Sequence, residues 1–362
     1  MKRVCFFIGN MNNVGGTERV TSVIANELQE HGYHIHILSL QCGELPFFNL
    51  SPSIHVDQLF NMPGRGIFRL PLAIIKLRHY LKKNKFDVLI NVESMLVIYS
   101  MPAVLGMNIR NICWEHFNYN IDLGKSIRRV ARKLAALFTD DIITLTERDK
   151  MLWLSKAKCS ANITAIPNPV TIKYPNSINF KKKKIFLAVG RLTYQKGFDL
   201  LLQAWSSVAV DNPDWHLRIV GDGEDKTDLE RMCRELNIIN SVQFIPKTNN
   251  IAEHYMQASF FIMSSRFEGL PLVLIEAQAY GLPIVSFDCD TGPSEVVINN
   301  KTGWLCTPLD HKELSQLISK AIALRYNSEK YECFCVESMK NANSFAVSKI
   351  IDKWMVLLNG QK

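Results

Sequence analysis

The sequence predicts an α/β protein made of two Rossmann-like domains in tandem. Three observations lead there. Short apolar runs alternate with amphipathic stretches along the chain. The alternation breaks once, near residues 167–184, and then starts again. The length of 362 residues exceeds what one ordinary core fills and suits two.

Val4–Gly9 (VCFFIG) is an uninterrupted apolar run and reads as a buried strand. With Met1-Lys2-Arg3 ahead of it, the run imitates a secretion signal. It is too short for one, and Asn10 to Gly16 interrupts it. No apolar stretch reaches the roughly 18 residues of a membrane-spanning helix. Thr17–His31 reads as a helix stopped by Gly32. His34–Leu40, Phe86–Asn91, Ile109–Trp114 and Asp141–Leu145 read as further strands. Strands separated by helices imply a parallel sheet covered on both faces.

Pro167-Asn168-Pro169, Tyr174-Pro175-Asn176 and the charge run Lys181 to Lys184 mark a boundary. The expected domains are residues 1–170 and 171–343, followed by a tail at 344–362. Beyond the boundary, Ile185–Gly190, Trp215–Val220, Val242–Ile245, Phe260–Met263 and Ile284–Asp288 read as strands. Phe198–Val208, Asp225–Leu236, Ile251–Ala258 and Pro271–Tyr280 read as the helices between them. Ligands of such sheets bind outside the carboxyl ends of the strands. Two sheets facing each other would form a deep cleft.

Composition excludes several classes. Hydrophobic residues make up 47% and charged residues 21%, as in ordinary globular proteins. Nine cysteines, with no CxxC pair, fit a reduced, cytoplasmic protein better than a disulfide framework or a zinc site. The net charge of +8 lies entirely in residues 1–180. It concentrates in Arg65 to Lys85 and in Lys125 to Lys133, where cations interleave with apolar residues. Two readings stand side by side: helices lying on an anionic membrane surface, or solvated helix faces. A nucleic-acid partner is not expected, because these segments lack exposed interleaved aromatics and a reading motif.

Two constellations carry chemistry. In VGRLTYQKG a strand ends at Gly190, and Arg191 and Lys196 occupy the loop before a helix. Two cations at a strand end and a helix amino terminus suit a diphosphate. In Ser264-Ser265-Arg266-Phe267-Glu268-Gly269-Leu270-Pro271, Pro271 suits the first helical position, and the amides of Gly269 and Leu270 can meet an oxygen. Glu268, with Glu276 further along the helix, adds carboxylates that accept hydrogen bonds from vicinal hydroxyls. The plain alternatives are a surface loop with two ordinary cations and a solvated helix start.

Glu268-x7-Glu276, VGRLTYQKG and Thr291-Gly292-Pro293-Ser294-Glu295-Val296 together resemble glycosyltransferase family 4 of the GT-B fold. The resemblance extends over nearly the whole chain. It includes Gly15-Gly16-Thr17-Glu18-Arg19, Ile166-Pro167-Asn168-Pro169 and Asn300-x2-Gly303-Trp304-Leu305. It implies a retaining transferase that uses a nucleotide diphosphate sugar. Arg191 and Lys196 would hold the diphosphate, Glu276 the ribose, and Glu268 the sugar, with backbone contacts from Gly269, Leu270 and Pro271. The base would pack near Pro246-Lys247. The Gly15-Gly16 loop would close on the donor phosphates and shape the acceptor site. In Trp114-Glu115-His116-Phe117, His116 would lie beside the reacting sugar as proton donor, acceptor or positioning group. Glu115 and Glu147 would face the acceptor. The tail, with a helix over Ser344–Leu358 carrying Trp354, would cross back to the first domain.

The resemblance further implies front-face attack, with the leaving phosphate taking the acceptor's proton, so Glu268 orients the sugar and is no covalent nucleophile. A uridine diphosphate sugar is the expected donor. A lipid-linked or cell-envelope saccharide is the expected acceptor, on a cytoplasmic protein or one peripheral to the inner face of the plasma membrane. No cofactor is expected. Asp288-Cys289-Asp290 imitates a metal-binding DxD, but the cationic diphosphate site makes a metal unnecessary. A nucleotide-dependent oxidoreductase or epimerase would need a GxGxxG turn after the first strand, and the chain lacks it. A catalytically silent scaffold would not need the retained cations and glutamates.

Overall fold

The computed structural model describes residues 2–64, 66–175, 180 and 182–360. Arg65 of the first basic segment, Asn176 of the turn signals and Lys181 of the charge run lie outside the described residues. The chain divides into two compact units, one ending at Thr171 but including the last helix, the other spanning Ile172–Ala346.

The first unit holds seven strands: β1 (Arg3–Ile8), β2 (His34–Ser39), β3 (His55–Gln58), β4 (Val88–Val92), β5 (Arg110–Trp114), β6 (Asp141–Thr144) and β7 (Asn162–Ala165). They lie in the order β3-β2-β1-β4-β5-β6-β7, and every pair is parallel. The second unit holds six: β8 (Ile185–Val189), β9 (His216–Val220), β10 (Val242–Ile245), β11 (Phe260–Met263), β12 (Ile284–Phe287) and β13 (Gly303–Cys306). Their order is β10-β9-β8-β11-β12-β13, again all parallel. The central strands β4 and β11 are buried along their whole length, which is why they read as apolar runs, broken only by the buried Asn91, which donates to Asn111 Oδ1 and Ile112 O. Strand order reverses between β1 and β4 in one sheet and between β8 and β11 in the other. Those switch points are where open α/β sheets bind ligands.

Strands β3, β7 and β13 were not expected from the sequence. Each lies at a sheet edge and is four residues long, and β3 and β7 have no fully buried residue. A strand completed by one neighbour's hydrogen bonds leaves a weak pattern in its own side chains.

The last helix, Val347–Asn359, belongs to the first unit. Ser344, expected inside it, sits in a preceding 3-10 turn. Trp354 is 1% exposed, with its ring 4.8 Å from Trp114 and 6.4 Å from Phe6. Lys2, Tyr33 and Arg110 each donate a hydrogen bond to residues 357–360. Truncating one such tryptophan typically costs about 3–5 kcal/mol, enough to hold a helix that is distant in sequence.

Both basic segments form helices, Gly66–Asn84 and Ile127–Phe138. Exposed aromatics were not expected on the two basic segments. Phe68, in the first, is 79% exposed and departs from that expectation; Phe138, 54% exposed, follows the second segment in the same helix.

Candidate active site

The second unit's switch point gathers most of the expected donor residues. After β8 the chain passes Gly190 and the exposed Arg191, then anchors through buried Leu192. A 3-10 turn over Tyr194–Lys196 follows. A Cβ on Gly190 would fall 3.2 Å from Lys196 Cδ and Cε, so glycine leaves room for the lysine to lie back over the strand end. Lys196 Nζ donates to Glu268 Oε1 at 2.6 Å, with the two side chains 20% and 8% exposed.

The loop after β11 is stitched to this turn. Arg266 N donates to Gln195 O at 2.8 Å, Gln195 Nε2 to Phe267 O at 3.1 Å, and Ser264 Oγ to Lys196 O at 3.0 Å. The Arg266 guanidinium pairs with both Asp199 oxygens, at 2.8 and 2.6 Å, and lies over the Tyr194 ring. A third loop clamps from the β12 side. Thr291 Oγ1 donates to Glu268 O at 2.7 Å. Gly292 has φ +100°, and a Cβ there would sit 2.5 Å from Pro271 Cδ and 2.7 Å from Gly269 O. Three strand ends therefore fix the Glu268-Gly269-Leu270-Pro271 backbone.

Pro271 was expected to be the first helical residue. Its ψ of 105° makes it the N-cap, and the helix is Leu272–Ala279. Glu276 is one turn inside, 3% exposed, and accepts from Tyr255 Oη at 3.1 Å. Tyr255 had no signal in the sequence argument, because only the fold brings the helix Ile251–Gln257 against Glu276. Lys247 is exposed after β10, two strands from β8, and its backbone N–H donates to Asp222 Oδ2 at 2.8 Å.

In the first unit, Gly15 is the N-cap and Gly16 the first residue of the helix Gly16–Glu30, which has no side-chain cap. His116 follows β5. It is 8% exposed, its ring centroid is 4.5 Å from that of Trp114, and its Nε2 is buried without a partner. Burial pushes its pKa down to about 3, so the imidazole is neutral through the physiological range. A cationic proton donor is the role this setting disfavours.

Glu115 differs from expectation. It is 1% exposed, its Oε1 accepts from the amides of His116 and Phe117 at 3.1 and 3.2 Å, and its Oε2 faces Arg132 at 3.5 Å. The loop folds back so that this carboxylate holds the loop's own amides, and it has no surface left for an acceptor. Glu147 stays exposed as the first residue of the helix Glu147–Lys156, 3.5 Å from Lys150. Glu93, which was not among the expected site residues, directly follows β4 beside the switch point and has φ +105°. Burial raises its carboxyl above the usual range, and so does Glu115, while Arg128 at 3.1 Å opposes them. Its place directly after the strand VLINV was the available signal.

Among the described residues, no group of three or more His, Cys, Asp or Glu could hold a metal ion. What the site can do follows from its charges. A cation paired to a carboxylate at a strand end can meet a phosphate on one side and hydroxyls on the other.

Residues 14–174 match Glycosyltransferase Family 4, and residues 171–334 match Glycosyl transferases group 1. An uncharacterized glycosyltransferase of Haemophilus influenzae is 36% identical over 99% of this chain and its own full length. A Campylobacter jejuni alpha-1,4-N-acetyl-D-galactosaminyltransferase, named for a diNAcBac-PP-undecaprenol-linked substrate, is 27% identical over 99% of this chain and 98% of its own. HepE of Anabaena, solved in complex with UDP, superposes with a TM-score of 0.82 at 19% identity over 99% of both chains. The chain belongs to glycosyltransferase family 4, and it is a transferase of the GT-B fold class.

Proposed function

We propose that the enzyme transfers a hexose or N-acetylhexosamine, with retention at the anomeric carbon, from a uridine diphosphate sugar to a lipid-linked or cell-envelope saccharide. The observation that carries the reading is the Lys196–Glu268 pair at the switch point of the second sheet. Departure of the nucleoside diphosphate builds negative charge on the β-phosphate. Lys196 and Arg191 stabilise that charge, and fixed cations in a partly dry site need no reorganisation as it develops. Glu268, released in part from Lys196, accepts from the sugar hydroxyls, while Gly269, Leu270 and Pro271 present a braced backbone. Glu276, oriented by Tyr255, takes the ribose, and Lys247 lies toward the base. In the first unit, Gly15 and Glu147 contact the acceptor, Gly16 the donor, and neutral His116 positions the reacting sugar. No metal or cofactor is required, so activity persists with a chelator.

The lipid-linked acceptor draws support from the two basic helices. One carries exposed Phe68, Leu72 and Ile75 beside Lys76 and Lys82. The other carries exposed Ile127, Val130 and Leu137 beside Arg129 and Lys133. Apolar stripes flanked by cations suit the surface of an anionic bilayer. No described helix is long and apolar enough to cross a membrane.

A thermal-shift panel tests the donor. Ligand at about 100-fold its Kd adds about 2.7 kcal/mol of stability. Uridine diphosphate should stabilise the protein and guanosine diphosphate should not, and the reverse result rejects the base assignment. With uridine diphosphate binding established, failure to transfer labelled sugar from any uridine diphosphate hexose or N-acetylhexosamine to lipid-linked or lipopolysaccharide-type saccharides rejects the acceptor class.

A further inference from the structure

A pocket lies at the amino ends of strands in the first sheet, away from the candidate active-site loops. In neighbouring parallel strands, paired residues share a face, and Arg3 pairs with His34 while His36 pairs with His55. His34 and His36, two apart on β2, also share that face. The amino ends of β1, β2 and β3 therefore bring one guanidinium and three imidazoles together. With Ile35 and Ser53 they line a cavity of about 110 Å³. The candidate active-site loops leave the carboxyl ends of the strands, so this cavity is separate from them.

The polar lining is made of groups that are donors when protonated, and none of the lining residues is a carboxylate. Arg3 Nε is buried and has no partner. The volume holds a single tetrahedral oxyanion and is far too small for a nucleotide sugar. We propose that this pocket binds one phosphate group, free or as a monoester, between Arg3, Ser53 and the imidazoles of His34, His36 and His55.

Binding would be coupled to protons through His36. Tyr80 Oη donates to Asp57 Oδ2 at 2.6 Å, so its lone pair accepts from His36 Nδ1–H at 3.1 Å. That fixes the neutral tautomer and leaves His36 Nε2 as an acceptor, which repels an anion. Burial first, then His55, Arg3 and His34, hold the His36 pKa down to about 4, with Asp57 pulling the other way. Phe86 covers the ring edge-on at 4.9 Å, and Cys5 beside His36 on β1 is a buried neutral thiol whose ionisation burial and Asp57 oppose. A phosphate in the cavity offsets the repulsion from Arg3 and the other imidazoles. Between the free and the raised pKa, His36 is then more protonated with the anion bound than without it, and affinity rises as pH falls through that window.

The test is a set of titrations of the full chain with inorganic phosphate from about pH 4 to pH 7 at constant ionic strength, spanning the free and raised His36 pKa, read by imidazole NMR signals and calorimetry. Saturation in the millimolar range or tighter is expected, with the His36 pKa raised by about 1 unit or more. His55→Ala and Arg3→Gln should each weaken binding about 10-fold or more without moving the phosphate-free melting temperature. A parallel arm uses vesicles of neutral lipid with phosphatidic acid. The same imidazole shifts with vesicles but not with free phosphate would assign the site to a lipid headgroup. Absence of shifts in both arms, or binding untouched by the two substitutions, overturns the proposal.

Discussion

Replacing Lys196 by Met probes the pair on which the donor site rests. The substitution keeps most of the aliphatic stem and removes the charge 2.6 Å from Glu268 Oε1. The side chains are 20% and 8% exposed, so the pair stands between two limits. Exposed pairs contribute about 0–1 kcal/mol, while stranding one partner of a buried pair costs about 3–5 kcal/mol. A loss of about 1–3 kcal/mol is expected, which lowers the melting temperature by several degrees in a domain of this size. Glu268→Gln in the Lys196→Met background removes the stranded charge. The double variant should therefore be more stable than the sum of the single losses by about 0.5–3 kcal/mol. Catalysis should behave differently. Removing one cation from a developing phosphate charge costs about 10²–10³ in kcat, and Glu268→Gln cannot restore it. Melting curves with a coupled assay for released nucleoside diphosphate read both effects. Lys196→Met with kcat and donor affinity within about threefold of the parent would refute the assignment of Lys196 to the diphosphate.

Gly292→Ala forces a Cβ against Pro271 and Gly269 at φ +100°. It should lower donor affinity while leaving the first unit's structure intact, as read by calorimetry and amide exchange. His116, neutral when folded with a pKa near 3, charges more readily when unfolded, so its contribution to stability is lost as pH falls from about 6.5 toward 3. His116→Asn should flatten the fall in melting temperature across that window. The comparison must be with the parent, because burial raises Asp149 to about pKa 7 and its effect runs the other way. The parent's pH–rate profile should show no limb near pH 6–7 that His116→Asn removes. Glu276→Ala should weaken uridine diphosphate binding about 10-fold or more, whereas reversing Lys76, Lys82 and Lys83 to Glu should spare it and reduce co-sedimentation with anionic vesicles. Equal loss of nucleotide binding in both would sink this division of labour.

The sequence by itself determined the two parallel sheets and the family. Central strands such as Val88–Val92 and Phe260–Met263 are buried on both faces, so their composition must announce them. Loops that carry glycine and proline at strand ends, as in VGRLTYQKG and FEGLP, are constrained by local backbone geometry, and that too is written locally. Tertiary structure alone decided what depends on distant partners. Edge strands β3, β7 and β13 exist through one neighbour's hydrogen bonds. Tyr255 reaches Glu276 across 21 residues, and Glu115 turns inward because Arg132 and its own loop amides are there. The histidine pocket of β1, β2 and β3 joins residues from position 3 to position 55 through strand register. Local sequence can state a residue's chemistry, but whether that chemistry faces a ligand or the protein's own backbone depends on which segments pack around it.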